Sequence, residues 1–366
     1  MPLRIGVDAR ELLGARTGVG RYLGELLRRW TTRPDADRRR FILYAPEPLS
    51  TQFPAGTTQH RVIGRGRGTL WEQTWLRRAA TKDRPDVFFA PAYTAPLGTG
   101  SPLALTIHDV SFVAHPEWFR PREGLRRRWL TRRAAQSAAV IFTDSQFSKQ
   151  EIQERLRIDP GRIQVIPPGV TGGSGATRDA SVEIRMPPVV LYVGSIFNRR
   201  RLPDLISAFA RLVVDLPDAR LIIVGDDRTW PPQDLAAVAA SQGVAGSVEF
   251  LTYLPDAALA DLYARASVFA FLSEYEGFGL TPLEALAAGV PIVVLDTPVA
   301  REVYGDAAEY VQPGDTARTT AALRTMLTSP QLVTAQLERG RTILARYSWE
   351  AAAERTLEHI ERIARQ

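Results

Sequence analysis

Residues 268–295 constrain this chain more than any other stretch, because they read as strand, glycine turn, helix and strand in one short span. The apolar run 268–272 has the length and composition of a buried strand. Glu276-Gly277-Phe278-Gly279-Leu280 follows as a Gly-rich turn. A helix start is expected next, with Thr281 as N-cap, Pro282 in the first helical position and Glu284 three residues after the cap. Gly289 is placed to end that helix, Pro291 forbids its continuation, and residues 291–295 read as the next buried strand. A turn of this kind presents free backbone N–H groups and the positive end of the helix dipole, which suits phosphate. A capping box accounts for Glu284 on its own. It accounts neither for Glu276 nor for two glycines around an aromatic.

Two carboxylates, Glu276 and Glu284, with GFG between them resemble the E-x7-E motif of retaining GT-B glycosyltransferases. The wording EGFGLTPLEALAAGVPIV, followed by REVYGDAA, is most similar to family 4 of those enzymes. The resemblance implies an α/β chain of GT-B architecture, two Rossmann-like doubly wound parallel-sheet domains facing a central cleft.

Length agrees, since 366 residues exceed one ordinary core and favour two domains of about 170–190 residues. There is no cysteine, which removes disulfides and thiolate metal sites and is compatible with a reducing compartment. Residues 3–8 read as a strand already inside the fold, not as a signal peptide, and no apolar run approaches the ~20 residues of a membrane span. A cytoplasmic protein, at most peripheral at the inner face of a membrane, is the expectation. The formal net charge is +6, and apart from Lys82 and Lys149 the 46 basic residues are all arginine. A basic surface suits anionic partners. Nothing resembles a nucleic-acid-binding module, so nucleic acid is not expected.

Strands alternate with helices along the chain, which predicts parallel, doubly wound sheets. Strands are expected at 3–8, 41–45, 86–90, 103–107 and 139–143, with a helix over 17–30. A second series follows: strands at 189–193, 220–224, 248–251 and 268–272, helices at 203–215, 233–242 and 257–264. The expected boundaries are an acceptor-side domain over 1–170, a linker over 171–187 rich in Gly and Pro, and a nucleotide-sugar domain over 188–346. The FSW-like segment Tyr347-Ser348-Trp349 precedes a last helix, 347–366, which the resemblance returns to the first domain.

Other segments carry further candidates. The loop Gly14 to Tyr22 has glycines at G-x3-G-x-G spacing between a strand and a helix, not the dinucleotide fingerprint. By resemblance to the family's TGVGRY form, Gly18 and Gly20 lie at the donor diphosphate. His108-Asp109 stands at the carboxyl end of a strand, where open sheets place ligands. HDVSFVAHPEWF resembles a family 4 segment whose first His lies beside the reaction centre; His115 reads as structural. Asp144 and Ser145 cap a helix and are acceptor candidates with Asp109. Tyr192-Val193-Gly194 through Arg199-Arg200-Arg201-Leu202 resembles YVG-x4-RKNL, with Arg200 where Lys is usual and Arg201 where Asn is. Cations here meet the negative charge of a departing diphosphate.

The resemblance thus implies transfer of a hexose, with retention, from a nucleotide-diphospho-sugar to a glycan or lipid-linked acceptor in bacterial polysaccharide or glycoconjugate synthesis. GDP-mannose is the first candidate donor, on the DAR-x-L and HDVSF wording. His108, Glu276, Arg199 and Arg200 take the catalytic roles. Gly18, Gly20, Gly194, Gly277, Phe278, Gly279, Leu280, Thr281 and Glu284 bind donor. No cofactor and no metal are expected, since arginines and helix dipoles can replace one. A GT-B phosphorylase would need a Schiff-base lysine, and neither lysine is placed for it. A nucleotide-sugar epimerase and a non-catalytic binding or scaffold protein are the alternatives. Finally, residues 122–139 mix Leu125, Trp129 and Leu130 with Arg126, Arg127, Arg128, Arg132 and Arg133. That pattern reads either as a solvated helix with its apolar stripe on the core, which is favoured, or as a helix lying on an anionic membrane.

Overall fold

A computed structural model describes residues 1–14, 17–171, 186–252 and 254–366. Most of the expected linker, 172–185, lies outside the described residues, as do Ala15 and Arg16 of the glycine loop. The chain divides into two compact units. One comprises Met1–Pro116, Pro121–Gly169 and Tyr347–Gln366; the other comprises Glu117–Arg120 and Val170–Arg346.

The first unit is built on a seven-stranded sheet in the order β3-β2-β1-β4-β5-β6-β7. Its strands are β1 (Leu3–Asp8), β2 (Arg39–Ala45), β3 (Thr58–Val62), β4 (Val87–Ala90), β5 (Leu103–Thr106), β6 (Val140–Thr143) and β7 (Ile163–Val165). The second holds a six-stranded sheet in the order β10-β9-β8-β11-β12-β13. These are β8 (Val189–Val193), β9 (Arg220–Val224), β10 (Val248–Leu251), β11 (Val268–Phe271), β12 (Ile292–Leu295) and β13 (Glu309–Val311). Every pairing is parallel, as in Ile5 with Phe41 and Phe269 with Ile292. Central strands such as β4, β5, β11 and β12 are buried at every position, as helices on both faces of a parallel sheet require.

Both sheets are therefore the α/β layers that the alternation predicts. The strands that no apolar run announces are β3, β7 and β13, and each is a sheet edge. An edge strand packs one side only, so it can be short and polar, as Thr58–Val62 is with three of its residues exposed.

The C-terminal helix Trp349–Ala364 belongs to the core of the first unit. Trp349, Leu357 and Ile360 share one apolar cluster with Leu23, Leu26 and Trp30 of the first helix, Gly18–Thr32. The fully buried Trp30 stacks on Phe41 at 5.7 Å and donates its indole N–H to the Ala353 carbonyl at 2.7 Å. That satisfies its polar atom inside the core. Gly169 approaches so close that a Cβ there would sit 2.2 Å from the Trp349 backbone nitrogen. No helix among the described residues is long and apolar enough to cross a membrane.

Candidate functional site

In the second unit the carboxyl ends of β8 and β11 gather four of the expected residues. Beyond β8 the chain turns at Gly194, whose φ of 146° suits glycine, and enters a short 3-10 turn, Asn198–Arg200. Arg199 and Arg200 point inward and are only 7% and 9% exposed. Both face Glu276, which follows β11. Arg199 Nε lies 3.7 Å from Glu276 Oε1, and Arg200 Nη1 forms the closer ion pair with the same oxygen. Ser273 Oγ donates to that carboxylate as well. Each guanidinium has an aromatic beneath it, Phe197 under Arg199 and Phe271 under Arg200, both at 4.4 Å. Phe271 in turn stacks on Tyr192. The run of three arginines is thus no solvated face at its first two positions.

Two cations beside one carboxylate leave a surplus positive charge. Arg200 Nε is buried with no hydrogen-bond partner among the described residues. A buried unmade donor costs about 1–3 kcal/mol. An anion brought to this point would satisfy it. Arg201 does something else: it caps the next helix, Leu202–Asp215, at φ 50° and pairs with Asp204 and Glu274. A left-handed residue favours Asn, so Arg201 occupies a strained place that its ion pairs hold.

The helix after the GFG turn differs from the expected one. It spans Leu280–Ala287, with Gly279 and not Thr281 at its N-cap and no side-chain cap. Thr281 and Pro282 are already inside it. Gly279 reaches that place because its φ is 89°, and Tyr304 Oη donates to its carbonyl at 2.9 Å. Glu284 is therefore not the carboxylate of a capping box; its Oε2 accepts from Tyr263 Oη at 3.4 Å. Phe278 is buried, while Gly279, Leu280 and Thr281 are half-buried. A small pocket beside Glu276 is lined by Phe271, Ser273, Phe278, Thr297 and Tyr304.

The first unit gathers its own polar groups at the carboxyl ends of β1, β4, β5 and β6. Thr17 caps the first helix by accepting from Gly20 N–H at 3.0 Å. Gly20 is sterically required, since a Cβ would sit 2.4 Å from the Glu11 carbonyl oxygen, whereas Gly18 faces open space. His108 binds Asp144 through Nδ1 at 2.8 Å and the Pro91 carbonyl through Nε2 at 3.1 Å. Burial pulls its imidazole down, but Asp144 beside it raises it on balance. The acceptor candidates all have local duties. Asp109 accepts from Ser111 N–H and Oγ, Ser145 caps the helix Gln146–Leu156, and Asp144 holds His108.

One buried cluster was not legible in the sequence. Arg10 joins Asp8, at 3.1 Å, to Glu72, and Thr94 Oγ1 donates to Glu72 at 2.6 Å. Burial pushes the Asp8 carboxyl up to about 6 against the pull of Arg10. Glu72 sits in a π-helical turn, Glu72–Leu76, 62 residues from Arg10. Only the DAR wording at the end of β1 signals it.

Comparisons with known proteins follow the same division. Residues 16–171 match the family model described as Glycosyltransferase Family 4, and residues 175–342 match Glycosyl transferases group 1. The chain is 26% identical over 365 residues to the O-antigen chain mannosyltransferase B of Escherichia coli, covering 93% of this chain and 95% of that one. It is 30% identical over 273 residues to a D-inositol 3-phosphate glycosyltransferase of Segniliparus rotundus, covering 70% of this chain and 60% of the relative. Among solved structures, Anabaena HepE in complex with UDP and glucose is similar with a TM-score of 0.72 at 20% identity, covering 99% of this chain and 100% of HepE. That likeness concerns the fold alone.

The turn geometry makes a paired prediction. Gly279→Ala adds a Cβ 2.1 Å from Tyr304 Oη at a backbone angle that L-residues resist, and should cost about 2–4 kcal/mol in urea unfolding. Gly18→Ala meets nothing and should stay within about 0.5 kcal/mol of wild type.

Proposed function

We propose, from the premise that this chain belongs to the family 4-like GT-B glycosyltransferases, that it moves a hexose from a nucleotide-diphospho-sugar to a glycan or lipid-linked acceptor with retention. The observation that carries the donor assignment is the pair Arg199 and Arg200, buried beside Glu276 with net positive charge to spare. As the nucleoside diphosphate departs, negative charge grows on its outer phosphate, and two preorganised guanidinium groups stabilise it. In this reading the backbone of Gly277, Phe278, Gly279 and Leu280, with Gly194 and Thr281, holds phosphate and sugar. Glu276 addresses sugar hydroxyls and Glu284 the ribose hydroxyls. Gly18, Gly20 and His108 keep the roles that the resemblance gives them. Mannose is the proposed hexose and GDP-mannose the donor, supported by the mannosyltransferase name of the Escherichia coli relative.

Arginines in these places supply the cationic charge that a metal would, so transfer is proposed to be metal-independent. The test is thermal unfolding with GDP, UDP, dTDP and ADP and their sugar conjugates, in EDTA. A nucleotide at ~100 times its dissociation constant adds about 2.7 kcal/mol of stability. One nucleotide should shift the midpoint in wild type and not in Glu284→Ala. A shift that needs added divalent metal would refute metal independence; no shift with any nucleotide would favour the scaffold alternative. Product from the cognate donor should show the donor's own anomeric configuration by proton NMR, and inversion would exclude retention.

Contact with an anionic membrane is the second part of the proposal. In the helix Pro121–Ser137, Leu130 turns to the core but Leu125 and Trp129 are 63% and 58% exposed, with Arg126 exposed alongside. Arg127 is not available for this, since it packs over Tyr93 at 4.4 Å and Phe112 at 4.8 Å. Co-sedimentation with phosphatidylglycerol vesicles should be retained in wild type, weakened several-fold in Leu125→Ser/Trp129→Ser/Arg126→Ser, and absent with phosphatidylcholine. Equal binding of wild type and triple variant would end the idea.

A further inference from the structure

His108 has both ring nitrogens committed, and both partners are acceptors only. Nδ1 lies 2.8 Å from the Asp144 carboxylate and Nε2 lies 3.1 Å from the Pro91 carbonyl oxygen. A neutral imidazole carries one N–H and one lone pair. In the neutral ring, one of the two contacts would set lone pair against lone pair in the interior of the unit. The imidazolium satisfies both at once. Asp144 is 6% exposed, so the pair is shielded from water and neither member is free to turn away at low cost.

We propose that Asp144 is a positioning residue that fixes His108 as a doubly donating imidazolium, a standing cation and not a proton-accepting base. The surroundings agree. Tyr22 meets the ring edge-on from the first helix at 5.0 Å, and Tyr93 meets it from the loop after β4 at 5.7 Å. Asp109, the next residue, adds a second carboxylate that favours the charged ring, and Arg127 packs over Tyr93. Ser148 Oγ donates to the His108 carbonyl at 3.0 Å, so the backbone is pinned as well as the ring. Neither candidate alone announces this arrangement, because His108 and Asp144 stand 36 residues apart on neighbouring strand ends. In the glycosyl transfer proposed above, on which this consequence rests, His108 contributes fixed charge and takes no proton from the acceptor.

The sign of the pH dependence follows. The folded imidazole is raised above its ordinary 6.5, so its contribution is complete below that value and is lost as pH rises through the folded one. The experiment is a nitrogen-15 NMR titration of the full chain labelled at its four histidines, with His108 assigned by its loss in His108→Gln. At pH 6.5, where a free histidine is about half protonated, both His108 nitrogens should resonate mostly as N–H. One pyridine-like nitrogen at that pH would overturn the proposal, and wild type alone decides this. In Asp144→Asn the titration midpoint should fall by about 1–3 pH units, and Asp144→Glu should restore most of it. The alkaline limb of kcat should move acid-ward in Asp144→Asn by the same interval, with KM little changed. If NMR finds the imidazolium but no transfer is detected with any nucleotide-sugar, the functional reading has failed and the proposal about Asp144 stands.

Discussion

Two guanidinium groups held out of water beside a single carboxylate set the terms for the second unit. Removing such ions from water costs several kcal/mol each unless partners replace the solvent. Glu276, Ser273 and the aromatic faces of Phe197 and Phe271 do so, but only in part. Stacking returns about 1–2 kcal/mol per desolvated cation, and one carboxylate neutralises one charge of two. A cluster left short of negative charge and of one acceptor is stabilised by an anion. Its position at the carboxyl ends of β8 and β11, beside a helix capped by Gly279, is where an open parallel sheet receives a phosphate.

The first unit resolves the same constraint in the opposite way. Its strand ends also collect charge, but there each group named has a hydrogen-bond or ion-pair partner. Arg10 sits between Asp8 and Glu72, and His108 between Asp144 and the Pro91 carbonyl. The helix Trp349–Ala364 closes the core behind them through Trp30 and Leu357. Saturated networks of this kind rigidify what they hold. The contrast separates a unit poised to take up an anion from one that presents fixed polar groups.

Much of this was legible in the sequence for local reasons. Central strands announce themselves as apolar runs because helices cover both faces, and the EGFG turn announces itself through glycine. The arginines after Gly194 were recognisable by their place at a strand end. What stayed hidden depends on distant partners. Gly279 displaces Thr281 from the cap because Tyr304, 25 residues onward, binds its carbonyl. Glu72 is invisible until a π-helical turn brings it to Arg10. Edge strands β3, β7 and β13 lack the two-sided burial that would mark them. Leu125 and Trp129 show the converse: their periodicity suggests a core face, yet the helix buries Leu130 instead.

Arg200 is proposed to read the outer phosphate of a nucleoside diphosphate. Calorimetric titration of GDP and GMP, with UDP and UMP alongside, into wild type and Arg200→Met tests it most directly. Wild type should prefer one diphosphate over its monophosphate by at least about tenfold, roughly 1.4 kcal/mol. Arg200→Met should erase most of that preference while leaving the monophosphate little changed. Equal affinity for diphosphate and monophosphate in wild type, or an equal loss of both in the variant, would contradict it.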